Sequence, residues 1–348
     1  MKDLLNRLKQ FLSEDRVLSR VLKNTGYLFS ATSIGLLLSL VQSIFAARLL
    51  GVAAFGLISI ITTFVTNVSR LFSFRMGEFI IRYLGKELTE ENRQKAGAVV
   101  KVAMLIEGIT SLVAFGMLML LAPLGAKYIA KDMQTLPLIQ LYGFSILAKM
   151  FSETAIGILQ ITNRFRIQAA INLAQSVITA LLIFIAFLVD GSIYFVLTAY
   201  LVGKIILGVS PVILALYFLP GHLNPHWWRT TLSVLPPFRE VAHFTLSTNL
   251  SGTVKMVASE SEPLLVGFFL DQQAVGLYKL ALSIVNPLMM PITPFISTTF
   301  PEMTRSIVTK AWHQLRRLLK RVTIISAGWT GLVLLVMLVL GRWLIKLF

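Results

Sequence analysis

Apolar and polar positions alternate along this chain in long blocks rather than in short periods. Nine predominantly apolar stretches stand out, at residues 25–47, 54–74, 97–122, 136–160, 169–189, 193–218, 243–268, 274–298 and 322–341. Each is long enough to cross about 30 Å of hydrocarbon as a helix, which takes roughly 20 residues. None shows the two-residue alternation of a membrane β-strand. The pattern therefore predicts an all-α, polytopic helical bundle of about nine spans. Two flanking stretches read differently. Residues 1–12 gather Leu4, Leu5, Leu8, Phe11 and Leu12 on one helical face, with Lys2, Arg7 and Lys9 elsewhere. That is the pattern of a helix lying in the interface. Residues 302–321 repeat it with Trp312, Leu315, Leu318 and Leu319 among basic residues.

Composition agrees with the blocks. The chain is 56% hydrophobic and 14% charged, against about 25% charged in a soluble domain. It has no cysteine, which excludes disulfides, thiolate metal sites and cysteine nucleophiles. His222 and His226 are separated by Asn224-Pro225, which breaks the helix that a metal-binding pair at this spacing needs. No phosphate loop, zinc-protease helix or nucleophile elbow occurs, and no connector has room for a soluble catalytic domain. The chain reads as a non-enzyme without cofactor or metal.

The net charge of +16 would suggest nucleic acid in a soluble protein. Here it sorts by membrane side. With the N-terminus in the cytoplasm, 21 Lys/Arg fall in cytoplasmic segments and 5 outside (Arg48, Lys127, Lys131, Arg342 and Lys346). This bias sets the orientation and places the basic runs near anionic lipid, with no nucleic acid required.

An internal repeat adds a second level. Leu50–Leu57 reads LGVAAFGL and Leu270–Leu277 reads LDQQAVGL, an offset of 220 that also carries Thr25 onto Thr245. Six spans separate the copies, so both enter from the same side, as in a parallel repeat. The expected organisation is an interfacial helix at 1–24, a six-helix lobe at 25–218, a Pro- and Trp-containing linker at 219–242, and a partial three-helix lobe at 243–348.

With these residues in view, the chain resembles the polysaccharide flippases, the O-antigen type of lipid-linked oligosaccharide exporter. The resemblance rests on "ARLLGVAAFGLISI" (47–60), "FRMGEFIIRYLGK" (74–86), "LQITNRFRIQAAINLAQSVI" (159–178), "ESEPLLVGFFLDQQAVGLYKLA" (260–281) and Pro301. It covers roughly residues 20–305. These are packing and turn signatures, and they specify the superfamily, shared with multidrug exporters, better than the substrate. The resemblance implies two helical bundles around a central cavity. It also implies movement of undecaprenyl-pyrophosphate-linked oligosaccharide to the outer leaflet of the bacterial inner membrane, for O-antigen, capsule or exopolysaccharide synthesis, in the company of a polymerase or glycosyltransferases. The family pattern has twelve to fourteen helices; this chain stops after about nine, and Asp271 stands where glycine is usual.

Charges inside the spans are the candidate site. Lys149, Lys204 and Lys255 lie near the centres of spans four, six and seven, where a lysine costs about 2.5–3.5 kcal/mol on insertion scales. They should therefore face a partner or a wet cavity. One reading is a cationic cavity for pyrophosphate, joined by Arg48 and Arg70 at the rims. The other is pairing, Lys149 with Glu153 at i+4 and Lys255 with Glu262. Glu107, Glu153 and Glu260 are candidates for carrying a coupling proton. Lys101 and Lys279, nearer span ends, are expected to snorkel. Two other functions fit the same architecture: a multidrug exporter, and a truncated remnant or assembly partner that transports nothing.

Overall fold

A computed structural model describes residues 16–221, 223, 227–230, 249, 253–254, 260–290 and 311–346, with the side chains of 16–25, 229, 340 and 342–346 left aside. Residues 1–12, Lys255, most of the 219–242 linker and most of the seventh span fall outside that set. Among the described residues the chain is helical throughout. Six helical stretches are long and apolar enough to cross a membrane.

The first two spans form one element, α1 (Arg16–Leu71), kinked at Gly51, whose φ of 79° and ψ of 163° suit glycine alone. The chain then turns through α2 (Met76–Phe79), a π-turn (Ile80–Leu84) and α3 (Gly85–Thr89). The third span is α4 (Arg93–Leu124), opened by Asn92, whose side chain accepts from the Lys95 amide at 3.1 Å. Spans five and six are α7 (Phe165–Leu188) and α8 (Ile193–Phe218). In the second copy of the repeat, α9 (Glu262–Phe269) leads into α10 (Gln272–Met289). The last span, α11 (Trp312–Lys346), is continuous. The Trp312 stretch is therefore no separate surface helix: no Pro lies between it and the span, and the two run on without a break.

Span four departs from expectation. It is two helices, α5 (Leu136–Ala148) and α6 (Ser152–Ile161), divided by a turn at Lys149–Phe151. The turn contains neither Gly nor Pro, so its cause is tertiary. On α8, Gly208 packs against the break so closely that an added methyl would lie 2.6 Å from the Ala148 carbonyl carbon and 3.0 Å from Lys149 Cα.

The repeat is visible as a contact. A methyl on Gly56 would collide with the Gln272 carbonyl, and a methyl on Gly276 with that of Val52. Gly276 is Gly56 plus 220, and Gln272 is Val52 plus 220. The two copies thus meet reciprocally, each glycine taking its counterpart's backbone. α1 runs along both α10 and α7.

Packing falls into two apolar clusters. One includes Phe55, Ile61, Leu118, Ile139, Tyr142 and Val275; the other includes Phe79, Ile80, Val100, Ile158 and Leu159. Between the two clusters, α1 and the turn after it, α4, α5–α6 and α8 place polar side chains: Ser69, Arg70 and Ser73, Glu107, Thr110 and Ser111, Lys149, Ser152 and Glu153, and Lys204. The outer faces are apolar, with Leu120 at 73% and Leu188 at 64% exposed, as helices facing lipid require.

Candidate functional site

The polar layer encloses a first cavity of about 240 Å³, lined by Arg70, Glu107, Lys149, Glu153 and Lys204 with Ser69, Ser73, Thr110, Ser111 and Ser145. Five of the residues singled out from sequence come together here. A second cavity, about 340 Å³, adds Glu260, Glu262, Lys279, Tyr142 and Asn286. A third, about 250 Å³, is lined by Lys204, Lys279, Tyr142, Tyr200, Ser59 and Asn286 among others. Lys204, from the middle of α8, belongs to all three. Non-helical backbone at membrane depth is tolerated where it lines a cavity, and the Lys149–Phe151 turn meets that condition.

The break exposes the first amides of α6, which need acceptors. Glu107, 7% exposed on the neighbouring α4, supplies them. Its Oε1 accepts from the Glu153 amide at 2.8 Å and its Oε2 from the Thr154 amide at 3.0 Å. A carboxylate at a helix N-terminus also opposes the positive end of the helix dipole. Lys149 sits at the other side of the break, just past the last turn of α5, where the dipole favours a cation.

The remaining carboxylates of these cavities are also engaged. Glu153 Oε1 accepts from Ser73 Oγ at 2.7 Å. Glu260 pairs with Arg70, joining the end of α1 to the start of α9. Beside it, Asn67 Nδ2 donates to Ser261 Oγ at 3.0 Å. Glu262 Oε2 accepts from the Tyr278 hydroxyl at 2.6 Å. Among the described residues, the ion pairs are Arg70–Glu260, Arg75–Glu78 and Lys86–Glu90. Lys149, Lys204 and Lys279 belong to none of them. The Lys149–Glu153 pair of the second reading is not formed, for a local reason: the i, i+4 spacing needs a continuous helix, and the helix ends between the two residues. Lys149 is instead exposed, into the first cavity.

Two other expectations change. Lys279 does not reach for an interface; it lines the second and third cavities. The signal for this lay in the sequence. Gln272, Gly276, Lys279, Ser283 and Asn286 recur at intervals of three or four, a small and polar stripe along one face of α10. Ser59, Thr62, Thr66 and Ser69 form its counterpart on α1. Lys101 Nζ donates to the Thr230 carbonyl, in the 219–242 linker, at 3.2 Å. Arg48 is exposed near the Gly51 kink and lines none of the three cavities.

Comparison with known proteins follows the same lines. A family described as polysaccharide biosynthesis proteins matches residues 21–307. Inner membrane protein YghQ of Escherichia coli strain K12 is 24% identical over 337 residues, covering 96% of this chain and 93% of its own. The fold is similar to that of an inward-facing multidrug resistance MATE family transporter of the MOP superfamily (TM-score 0.69, 14% identity, covering 90% of this chain and 72% of that one). It is also similar to the MATE multidrug transporter DinF-BH, solved as a complex (0.63, 20%, 94% and 75%). A third similar structure is a MOP superfamily transporter from Pyrococcus furiosus described as having a binding pocket of reversed polarity (0.61, 15%, 93% and 73%). At these identities the likeness to the three solved structures is one of fold.

Proposed function

The chain belongs to the family of polysaccharide biosynthesis proteins, and from that premise we propose that it is a multi-pass inner-membrane transporter that moves undecaprenyl-pyrophosphate-linked oligosaccharide from the inner to the outer leaflet. The observation that carries this reading is the imbalance among the cavity's charged groups. Every described carboxylate lining the cavities has a partner, while Lys149, Lys204 and Lys279 form no ion pair among the described residues. An ammonium group at mid-membrane depth costs about 2.5–3.5 kcal/mol, and an anionic ligand offsets that cost. Lysine suits a pyrophosphate, since its compact charge and rotatable donors can follow phosphate oxygens as they move.

Transport follows by rocking of the two repeat copies around the shared cavity, with the N-terminus in the cytoplasm. The cytoplasm is electrically negative, so outward movement of an anion runs downhill. Each charge gains about 2.3 kcal/mol per 100 mV, or roughly 4.6 for a doubly charged pyrophosphate. A coupling proton on Glu107, Glu153 or Glu260 would appear as a pH-dependent rate that the matching Gln variant flattens. The substrate would arrive from glycosyltransferases and pass to a polymerase.

A multidrug exporter of the same fold is the competing reading, favoured by the fold likeness to the two multidrug transporters. It requires free carboxylates for a cationic drug, and those described here are engaged. Complementation of a flippase-deficient strain separates the two. We expect the wild-type chain to restore surface polysaccharide, and Lys149→Ala and Lys204→Ala each to lower it at least tenfold. Restoration by both variants, or cationic-dye resistance without polysaccharide, would overturn the assignment.

A further inference from the structure

Unlike the first cavity, the third has no carboxylate among its lining residues. Two ammonium groups, Lys204 and Lys279, face it from α8 and α10. Tyr142, Tyr200, Asn286 and Ser59 also line it. Ser59 is 4% exposed, and its Oγ has no hydrogen-bond partner among the described residues. In the second cavity, which shares Lys204, Lys279, Tyr142 and Asn286, both carboxylates are already taken, Glu260 by Arg70 and Glu262 by the Tyr278 hydroxyl.

Building on the transporter reading above, we infer that this chamber is a separate subsite for the glycan, and that the glycan carries an acidic sugar whose carboxylate is taken by Lys279. The pyrophosphate accounts for Lys149 and Lys204 in the first cavity. Lys279 does not line that cavity, so its charge calls for a second anion. A neutral sugar leaves the ammonium uncompensated at a depth where compensation counts most; a hexuronate compensates it and brings ring hydroxyls as well. Those hydroxyls need groups that both donate and accept, and tyrosine, serine and asparagine side chains do both. Sites built to pair with a polar substituent discriminate against substrates lacking it, because their own groups are then left unpaired.

The test uses the full chain in lipid nanodiscs and matched short-chain polyprenyl-pyrophosphate probes. One pair bears glucose or glucuronate and the other galactose or galacturonate, the members of each pair differing only at C6. Wild-type protein should bind at least one uronate probe about tenfold more tightly than its neutral partner. Lys279→Gln should abolish that preference, and Lys279→Arg should retain it. Lys149→Gln should weaken both members of a pair equally. Equal binding of both pairs by wild type, or a preference that survives Lys279→Gln, overturns the acidic-sugar subsite; the pyrophosphate reading then stands if Lys149→Gln still weakens all probes. Failure of every probe to bind overturns both.

Discussion

The two copies of the repeat solve the same turn with different chemistry. At Gly51 the chain takes a positive φ of 79°, open to glycine and strained for other residues. At the matching position, Asp271 is extended with φ of −150°, and its Oδ1 accepts from the Ala274 amide at 2.7 Å, capping α10. Aspartate in place of the first copy's glycine thus has a local explanation: this copy needs a cap acceptor and no positive φ. Five residues on, the copies are identical, because Gly56 and Gly276 each press on the other's backbone. Three residues further they diverge again, Ser59 against Lys279. Contact between the copies is held constant, while turn and cavity lining vary, which is how a symmetric scaffold can carry an asymmetric ligand.

Substitutions at matched positions break this comparison in order of size. Gly56→Val and Gly276→Val should be the most damaging and should resemble each other, since each drives a side chain into backbone of the opposite copy. Overpacking of this kind costs about 1–3 kcal/mol and more where backbone must move. Thermal melting in detergent should fall by a similar amount for both; a large drop for one and none for the other would mean the contact is not reciprocal. The turn residues come next and should differ in kind. Gly51→Ala meets a positive-φ extended backbone open essentially to glycine alone, at a cost of about 1–3 kcal/mol. Asp271→Ala loses a cap worth about 1 kcal/mol, recovered by Asp271→Asn or Asp271→Ser. Asp271→Gly should fall within a few tenths of a kcal/mol of wild type, because glycine is a tolerable cap. The smallest effect belongs to Ser59→Ala. Removing an unpartnered buried hydroxyl should leave stability within about 0.5 kcal/mol while lowering glycan binding.

Most of the fold was legible in the sequence, because spans are long runs whose meaning does not depend on neighbours. Residues 193–218 match α8, and 97–122 fall inside α4. What escaped depended on contacts across the bundle. The division of span four follows from Gly208 on α8 and Glu107 on α4, neither near Lys149 in sequence. Pairing rules that assume an unbroken helix therefore offer Glu153 as the alternative partner for Lys149. Lys279 was misplaced by judging depth from distance to the turn, which ignores the face a side chain occupies; the α10 stripe carries that information. Arg70, Glu107, Lys149, Glu153 and Lys204 line one cavity; from sequence, Arg70, Lys149 and Lys204 read as one cationic cavity with structural pairing as the alternative, and the two glutamates as proton carriers or pairing partners.

The central claim is that cationic side chains without ion-pair partners among the described residues hold the pyrophosphate of a lipid-linked glycan during its passage between leaflets. Its most direct test is a leaflet-exchange assay in proteoliposomes, following a fluorescent polyprenyl-pyrophosphate glycan with Lys204, the residue common to all three cavities, intact or changed to Gln. The account predicts outward movement by wild type, faster with an outside-positive potential, and at least a tenfold loss in Lys204→Gln at unchanged protein fold. Equal rates for the two proteins, or wild-type vesicles that move a cationic dye and leave the glycan lipid in place, would contradict it.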